Sequence, residues 1–256
     1  MVKDNLGNRM KTYYEEVSKT KLTRRMPVII RLDGKAFHTF TRGFKKPFDD
    51  IFMKTMQETM KYLCENIQGC VLGYTQSDEI TLVLVDYNKL DTAAWFDYEI
   101  QKMVSISASM ATLAFNKYFN EFYLEQLAEK GEADSYDLIY DKARRKGALF
   151  DSRVFNIPKE EVTNCVLWRQ KDAERNSILS VAQAHYSQKE MQGISCKELV
   201  AKLEIEKGII WGNLPTPQKR GTCCIKADNE WKIDYNIPCF VDNGRDYIEK
   251  LIYVGE

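Results

Sequence analysis

The chain has 256 residues, 44% of them hydrophobic and 29% charged, enough apolar content to bury the core of one large domain or two small ones. Lys plus Arg number 37 and so do Asp plus Glu, so bulk charge offers no pull on a polyanion and only local basic clusters could supply one. No uncharged apolar run reaches the roughly 18 residues of a membrane helix, and the N-terminal MVKDNLGNRMK lacks the apolar stretch of a secretory signal. A cytoplasmic protein with no membrane partner is expected. Its seven cysteines and two histidines show no paired metal-ligand spacing, so free thiols are expected too.

Residues 28–32, VIIRL, are β-branched and apolar and run into Asp33-Gly34, a strand and its exit. From Pro47 the apolar positions Phe48, Ile51, Phe52, Met56, Met60, Leu63 and Ile67 recur at helical spacing. Pro47 suits the first helical position, Asp49 and Asp50 suit the N-terminal dipole, and Gly69 ends the helix. CVLGYT and ITLVLV are strand-like runs parted only by Gln76-Ser77-Asp78-Glu79, the spacing of a hairpin. Asp91 or Thr92 is placed to cap a second long helix with Phe96, Ile100, Met103, Val104, Met110 and Leu113 on its buried face. Residues 125–146, rich in charge and ending in KARRK, read as a loop or exposed insertion. GALFDSRVFNIP then supplies a strand closed by Pro158. The order β-α-β-β-α-β is an α+β, ferredoxin-like arrangement. In the last third, Ser195 with Glu198 forms a capping box ahead of Leu199, Val200 and Leu203, and short strand-like pieces follow. No linker or repeat marks a boundary. A single domain over 1–256 is expected, with a core at about 26–158 and a helical, then mixed, extension at about 159–256.

In such a sheet the first strand lies beside the hairpin, so Asp33 and Asp78 converge at one edge. Two carboxylates at close range repel unless a cation lies between them. Hard oxygen ligands suit Mg²⁺, which keeps waters and takes the rest of its shell from substrate phosphates. Gly34 leaves room for a backbone carbonyl to approach the same ion. Taken singly, acids at a hairpin tip are ordinary turn residues. KARRK, with Lys219 and Arg220, reads as a solvated surface or as a contact to an RNA backbone. Trp168 and Trp211 read as core packing or as groups that stack on bases.

RLDGKAFHTF, FKKPFDD, YTQSDEITLV, FDSRVFNIP and WRQKDAERNS, in this order and spacing, resemble the motifs of the tRNA-histidine guanylyltransferase family and its relatives, the 3′-to-5′ nucleic-acid polymerases. The similarity runs over about 28–220. It implies a polymerase-palm-like core, two Mg²⁺ ions, and nucleotide addition to a tRNA 5′ end that has been activated with ATP or already bears a triphosphate. GTP and other nucleoside triphosphates are the implied donors, and a homo-tetramer the implied assembly. Carried over residue by residue, the resemblance makes Asp33 and Asp78 the catalytic metal ligands with the Gly34 carbonyl, and Glu79 the acid behind them. Ser77, Lys46 and Asp49 match nucleotide-contacting positions, Lys102 and Arg153 match basic positions near phosphates, and His38 matches a nucleotide-pocket histidine.

The chain also departs from the family. Eukaryotic members carry HINN after the WRQ motif, tied to strict handling of tRNA-His, where this sequence has Ala173-Glu174-Arg175-Asn176-Ser177. Glu99 stands where a basic residue is expected. Both changes favour the bacterial and archaeal type of relative, which repairs truncated 5′ ends against a template, over a dedicated tRNA-His guanylyltransferase. Two other classes compete. QSDEI loosely echoes the GGDEF signature of palm-type nucleotide cyclases but lacks its paired glycines, and a non-catalytic RNA-binding module would have no need of both Asp33 and Asp78.

Overall fold

The structure, a computed structural model, describes residues 4–131 and 134–253. Six strands, β1 (Val28–Gly34), β2 (Cys70–Gln76), β3 (Glu79–Leu84), β4 (Phe150–Asn156), β5 (Thr222–Ala227) and β6 (Glu230–Asp234), form one antiparallel sheet in the order β4-β1-β3-β2-β5-β6. The helices in chain order are α1 (Asn5–Met10), α2 (Phe37–Phe40), α3 (Asp50–Asn66), α4 (Ile100–Lys130), α5 (Ser135–Lys146), α6 (Lys159–His185), α7 (Gln188–Met191), α8 (Cys196–Lys207), α9 (Thr216–Arg220) and α10 (Asp246–Ile252). With α3 and α4 as crossovers, β1–β4 make the palm-like βαββαβ unit of an α+β fold. β5 pairs with β2 from Leu72↔Ile225 to Thr75↔Thr222, so the C-terminal pieces extend that same sheet.

The two-residue period of the strands divides the core. Val28, Ile30 and Leu32 of β1 join Ile80, Leu82 and Leu84 of β3 against α3 and α4. Ile29, Val83, Leu72 and Tyr74 join Val162 and Val166 of α6 and Ile248 and Ile252 of α10 on the other side. Covered on both faces, the central strands read as unbroken apolar runs. Where β1 ends, the chain passes over an aromatic cluster in which the Phe37 ring lies 5.2, 5.3 and 5.1 Å from those of Phe40, Phe115 and Phe150. A Cβ at Gly34 would stand 2.3 Å from the Phe37 ring, so that ring's approach requires glycine there.

Three expectations are corrected. The helix read from Pro47 starts at Asp50, because Asp49 is its N-cap and accepts from the Phe52 amide at 2.9 Å, leaving Pro47 in the preceding loop. The second long helix starts at Ile100 rather than after Asp91 or Thr92, because Phe96, Asp97 and Tyr98 adopt left-handed backbone that a helix cannot include. Phe96 and Leu113 are exposed, while Met103, as expected, lies on the buried face together with Ala111, Ala114, Phe115 and Phe119. The stretch read as a loop is helical on either side of residues 131–134: α4 continues to Lys130, and Asp134 caps α5 in a box with Asp137 that sets Tyr140 in the core. The KARRK arginines Arg144 and Arg145 lie 2.5 and 2.7 Å from Asp141 on the same helix. The seven cysteines are free. Among the described residues no helix is long and apolar enough to cross a membrane.

Candidate active site

Antiparallel register sets Asp33 opposite Glu79 of β3 and opposite Asp151 of β4. Ser77 and Asp78 form the turn between β2 and β3, with Ser77 in left-handed backbone at φ +49°. That turn is tied to the end of β1, because the Gly34 amide donates to the Asp78 carbonyl at 3.0 Å. Burial pushes the Asp78 carboxyl above its ordinary value and the negative charge of Asp33 pushes it further. The cation beside them is Arg153, 4.0 Å from Asp33 but only 3.1 Å from Asp151, and more than half exposed.

Glu79, one residue from Asp78, is in a different situation. It is buried, with Arg169 Nε at 2.7 Å, Arg31 Nε at 3.5 Å and the Thr81 hydroxyl donating at 3.3 Å. Asp172 holds the far side of Arg169 at 3.0 Å. A charge in this strand therefore has its partners within the protein, and those partners are arginines. Arg31 is itself a cation inside VIIRL, and that is the signal sequence reasoning could have used: a buried Arg in an apolar strand requires a buried anion. Arg169, within the WRQ motif, carries no such signal of its own.

Beside the hairpin turn opens a cleft of about 200 Å³ between the segment 41–49 with α3, the end of β2, α6 and α9. Lys46, Asp49 and Ser77 line it together, and so do Gln57, Asn176 and Lys219, which sequence reasoning did not place there. The signal for Asn176 was its helical spacing from Ala173, Ser177 and Ser180, all on the cleft. Asp49 is more than a lining residue: its carboxylate accepts from the Phe52 and Lys45 amides and from the Tyr140 hydroxyl at 2.5 Å, fixing the loop that carries Lys46. His38, Lys102 and Arg153 are outside the lining. His38 is exposed on α2, and Lys102 pairs with Glu99 at 3.4 Å. Trp211 packs beside α6 with its indole N–H donating to Ser177 at 3.0 Å. Trp168 is 58% exposed.

A family model described as Thg1, tRNAHis guanylyltransferase, matches residues 7–158. The structure of a bacterial tRNA(His) guanylyltransferase (Thg1)-like protein in complex with ATP superposes with a TM-score of 0.83 at 42% identity, covering 97% of this chain and 99% of that one. One in complex with GTP gives 0.78 at 39%, covering 98% and 100%. The probable tRNA(His) guanylyltransferase of Drosophila melanogaster is 27% identical over 214 residues, 78% of this chain and 66% of that protein. The chain therefore belongs to the tRNA-His guanylyltransferase family, and it is a nucleotidyltransferase whose reaction is 3′-to-5′ addition of nucleotides to tRNA.

Proposed function

We propose that this enzyme restores missing nucleotides, G included, at the 5′ end of truncated tRNAs in the cytoplasm, selecting each by pairing with the opposing strand of the acceptor stem. One observation carries the choice of repair over tRNA-His maturation. Glu174, which stands where eukaryotic relatives have histidine, lies 3.7 Å from Arg220 and ties α6 to α9, while its neighbours Asn176 and Ser177 face the cleft. The segment thus serves the fold and the nucleotide, and base pairing is left to discriminate between RNAs.

Asp33 and Asp78, with the Gly34 carbonyl, are the groups that would hold the two Mg²⁺ ions. The residues fit: two carboxylates lie at the same sheet edge, where the charge of Asp33 bears on the Asp78 carboxyl, and Arg153 beside Asp33 is shared with Asp151. Bound there, the ions would lower the pKa of the attacking 3′-hydroxyl and neutralise the triphosphate or adenylylated end under attack. The chain's own groups do the positioning. Lys46 and Lys219 bring positive charge to the cleft for a triphosphate, Ser77 offers a hydroxyl at its rim, and Asp49 fixes the loop that carries Lys46. Arg153 stands beside Asp33 on the other flank, toward phosphates of the second substrate. The nucleotide roles of His38 and Lys102 and a homo-tetrameric assembly rest on the resemblance alone. Both 41–57 and 217–222 contribute to the cleft, which supports one catalytic domain over the whole chain.

Competition between a 5′-truncated tRNA and full-length tRNA-His in one tube, with labelled nucleotides and sequencing of the 5′ ends, tests this reading. The expected result is a higher kcat/KM on the truncated RNA and incorporation that follows the opposing base. A strong preference for full-length tRNA-His that is lost when its anticodon is changed would make the enzyme a dedicated guanylyltransferase instead.

A further inference from the structure

Trp168 keeps 58% of its surface in water while two guanidiniums pack against its ring, Arg31 at 5.1 Å and Arg169 at 4.6 Å from the ring centre. Both arginines are nearly buried and share one anion, Glu79. Swinging the ring away would uncover two cations, so it is held in place with apolar surface still exposed. A large aromatic fixed in this way has the form of a base-stacking platform.

Its position gives the platform a purpose. Arg31 precedes Asp33 by two residues on the same face of β1, roughly 7 Å along the strand. Across the ladder Arg31 pairs with Arg153 of β4, the exposed cation beside Asp33. Sheet order sets Asp33 of β1 between the cleft, which opens at β2 and β5, and Arg153 of β4, while Trp168 lies over Arg31 of β1, the residue that pairs with Arg153. A nucleotide in the cleft therefore occupies one flank of the acid pair. The other flank offers the Arg153 guanidinium, exposed though it also pairs with Asp151 at 3.1 Å, and the Trp168 ring over Arg31, a combination that suits a phosphate and its base. We propose that Trp168 stacks on a base at the acceptor end of the RNA substrate, with Arg153 on an adjacent phosphate, and so holds the 5′ end at Asp33 and Asp78. The inference rests on the reading that the second substrate is a tRNA end.

The test uses full-length wild-type, Trp168→Ala and Trp168→Phe proteins with a 5′-triphosphorylated truncated tRNA transcript, which needs no activation by ATP. Loss of one stacked base should raise the KM for RNA roughly 5- to 150-fold in Trp168→Ala. The KM for GTP should stay within about twofold of wild type, and Trp168→Phe, which keeps a ring, should recover most of the loss. Titrating the transcript into wild-type protein should quench tryptophan emission by an amount missing in Trp168→Phe. An unchanged KM for RNA in Trp168→Ala overturns the proposal, and so does a rise confined to the nucleotide. If the wild-type enzyme extends no RNA, the functional reading fails, and the fluorescence titration still decides whether Trp168 meets RNA. Should Trp168→Ala melt early, equal quenching in wild type and Trp168→Phe overturns the proposal in its place.

Discussion

Asp78 and Glu79 are neighbours in sequence, and substitution of each by its amide should give opposite signatures. In Glu79→Gln the side chain keeps its shape and one acceptor oxygen, but Arg169 at 2.7 Å and Arg31 at 3.5 Å lose the anion they share, Arg169 keeping Asp172, inside a site that is about 10% exposed. Removing one partner of a buried ion pair costs about 3–5 kcal/mol, and the retained oxygen puts Gln near the lower end. For a chain of this length a loss of about 3 kcal/mol lowers Tm by roughly 6–12 °C. Asp78→Asn removes no such partner. Its carboxyl is raised by burial and by Asp33, so the ionised form burdens the fold above that raised value and not below the ordinary carboxylate range. Asn lifts that burden, and Tm should hold or rise while nucleotide addition is abolished. Urea denaturation and thermal melting of both variants, with single-turnover addition to a triphosphorylated transcript, separate the two effects. Glu79→Gln should retain measurable turnover below its melting range. A Glu79→Gln protein that melts with wild type, or an Asp78→Asn protein destabilised as much, would refute the assignment of one acid to the fold and the other to chemistry.

Asp33→Asn should also abolish addition with little change in Tm, checked by the same pair of assays. Lys46→Ala should weaken nucleotide binding by about 1–3 kcal/mol, the scale of a charge-assisted hydrogen bond, read by titration calorimetry with GTP. Tyr140→Phe removes the hydroxyl donating to Asp49 at 2.5 Å and should cost about 1–3 kcal/mol of stability in denaturant titration, with a parallel loss of GTP affinity as the Lys46 loop loosens. The Ser195 hydroxyl, and then its backbone amide, hold Glu198 below the ordinary carboxylate range, so this stabilisation is full above that range and fades as pH falls through the lowered value. In Ser195→Ala an NMR titration should show the Glu198 pKa rising toward its ordinary value.

The parts of this molecule that could be read from the chain are those in which one local pattern fixes one outcome. VIIRL, ITLVLV and the two-residue turn between β2 and β3 set the palm register, and the convergence of Asp33 with Asp78 follows from that register alone. Where two patterns compete, the sequence is ambiguous. Pro47 and Asp49 both suit a helix start, and the structure takes Asp49 because Lys45 and Tyr140 also need its carboxylate. The Asp134 box is hard to see because its third residue is Asp137 rather than Glu, and the charged face of α5 conceals Tyr140 behind it. Arg169 and Glu79 are far apart in sequence, so their pairing depends on how α6 lies across the sheet, which no local pattern encodes.

The cleft draws its walls from four stretches spread from Thr41 to Thr222, and this bears on how the enzyme comes into being on the ribosome. Asp33, Ser77 and Asp78 are synthesised early and their register needs only β1–β4. Thr222, Gly221 and Lys219, which complete the cleft, emerge far later. A Cβ at Gly221 would meet the Thr75 carbonyl at 2.5 Å, so β5 reaches its place beside β2 only with glycine at that step. Until it does, the β2 edge stands unpaired, open to a neighbouring nascent chain, and the acids have no complete nucleotide cleft beside them. On the proposed reading, capacity to bind a triphosphate therefore waits until β5 closes onto β2.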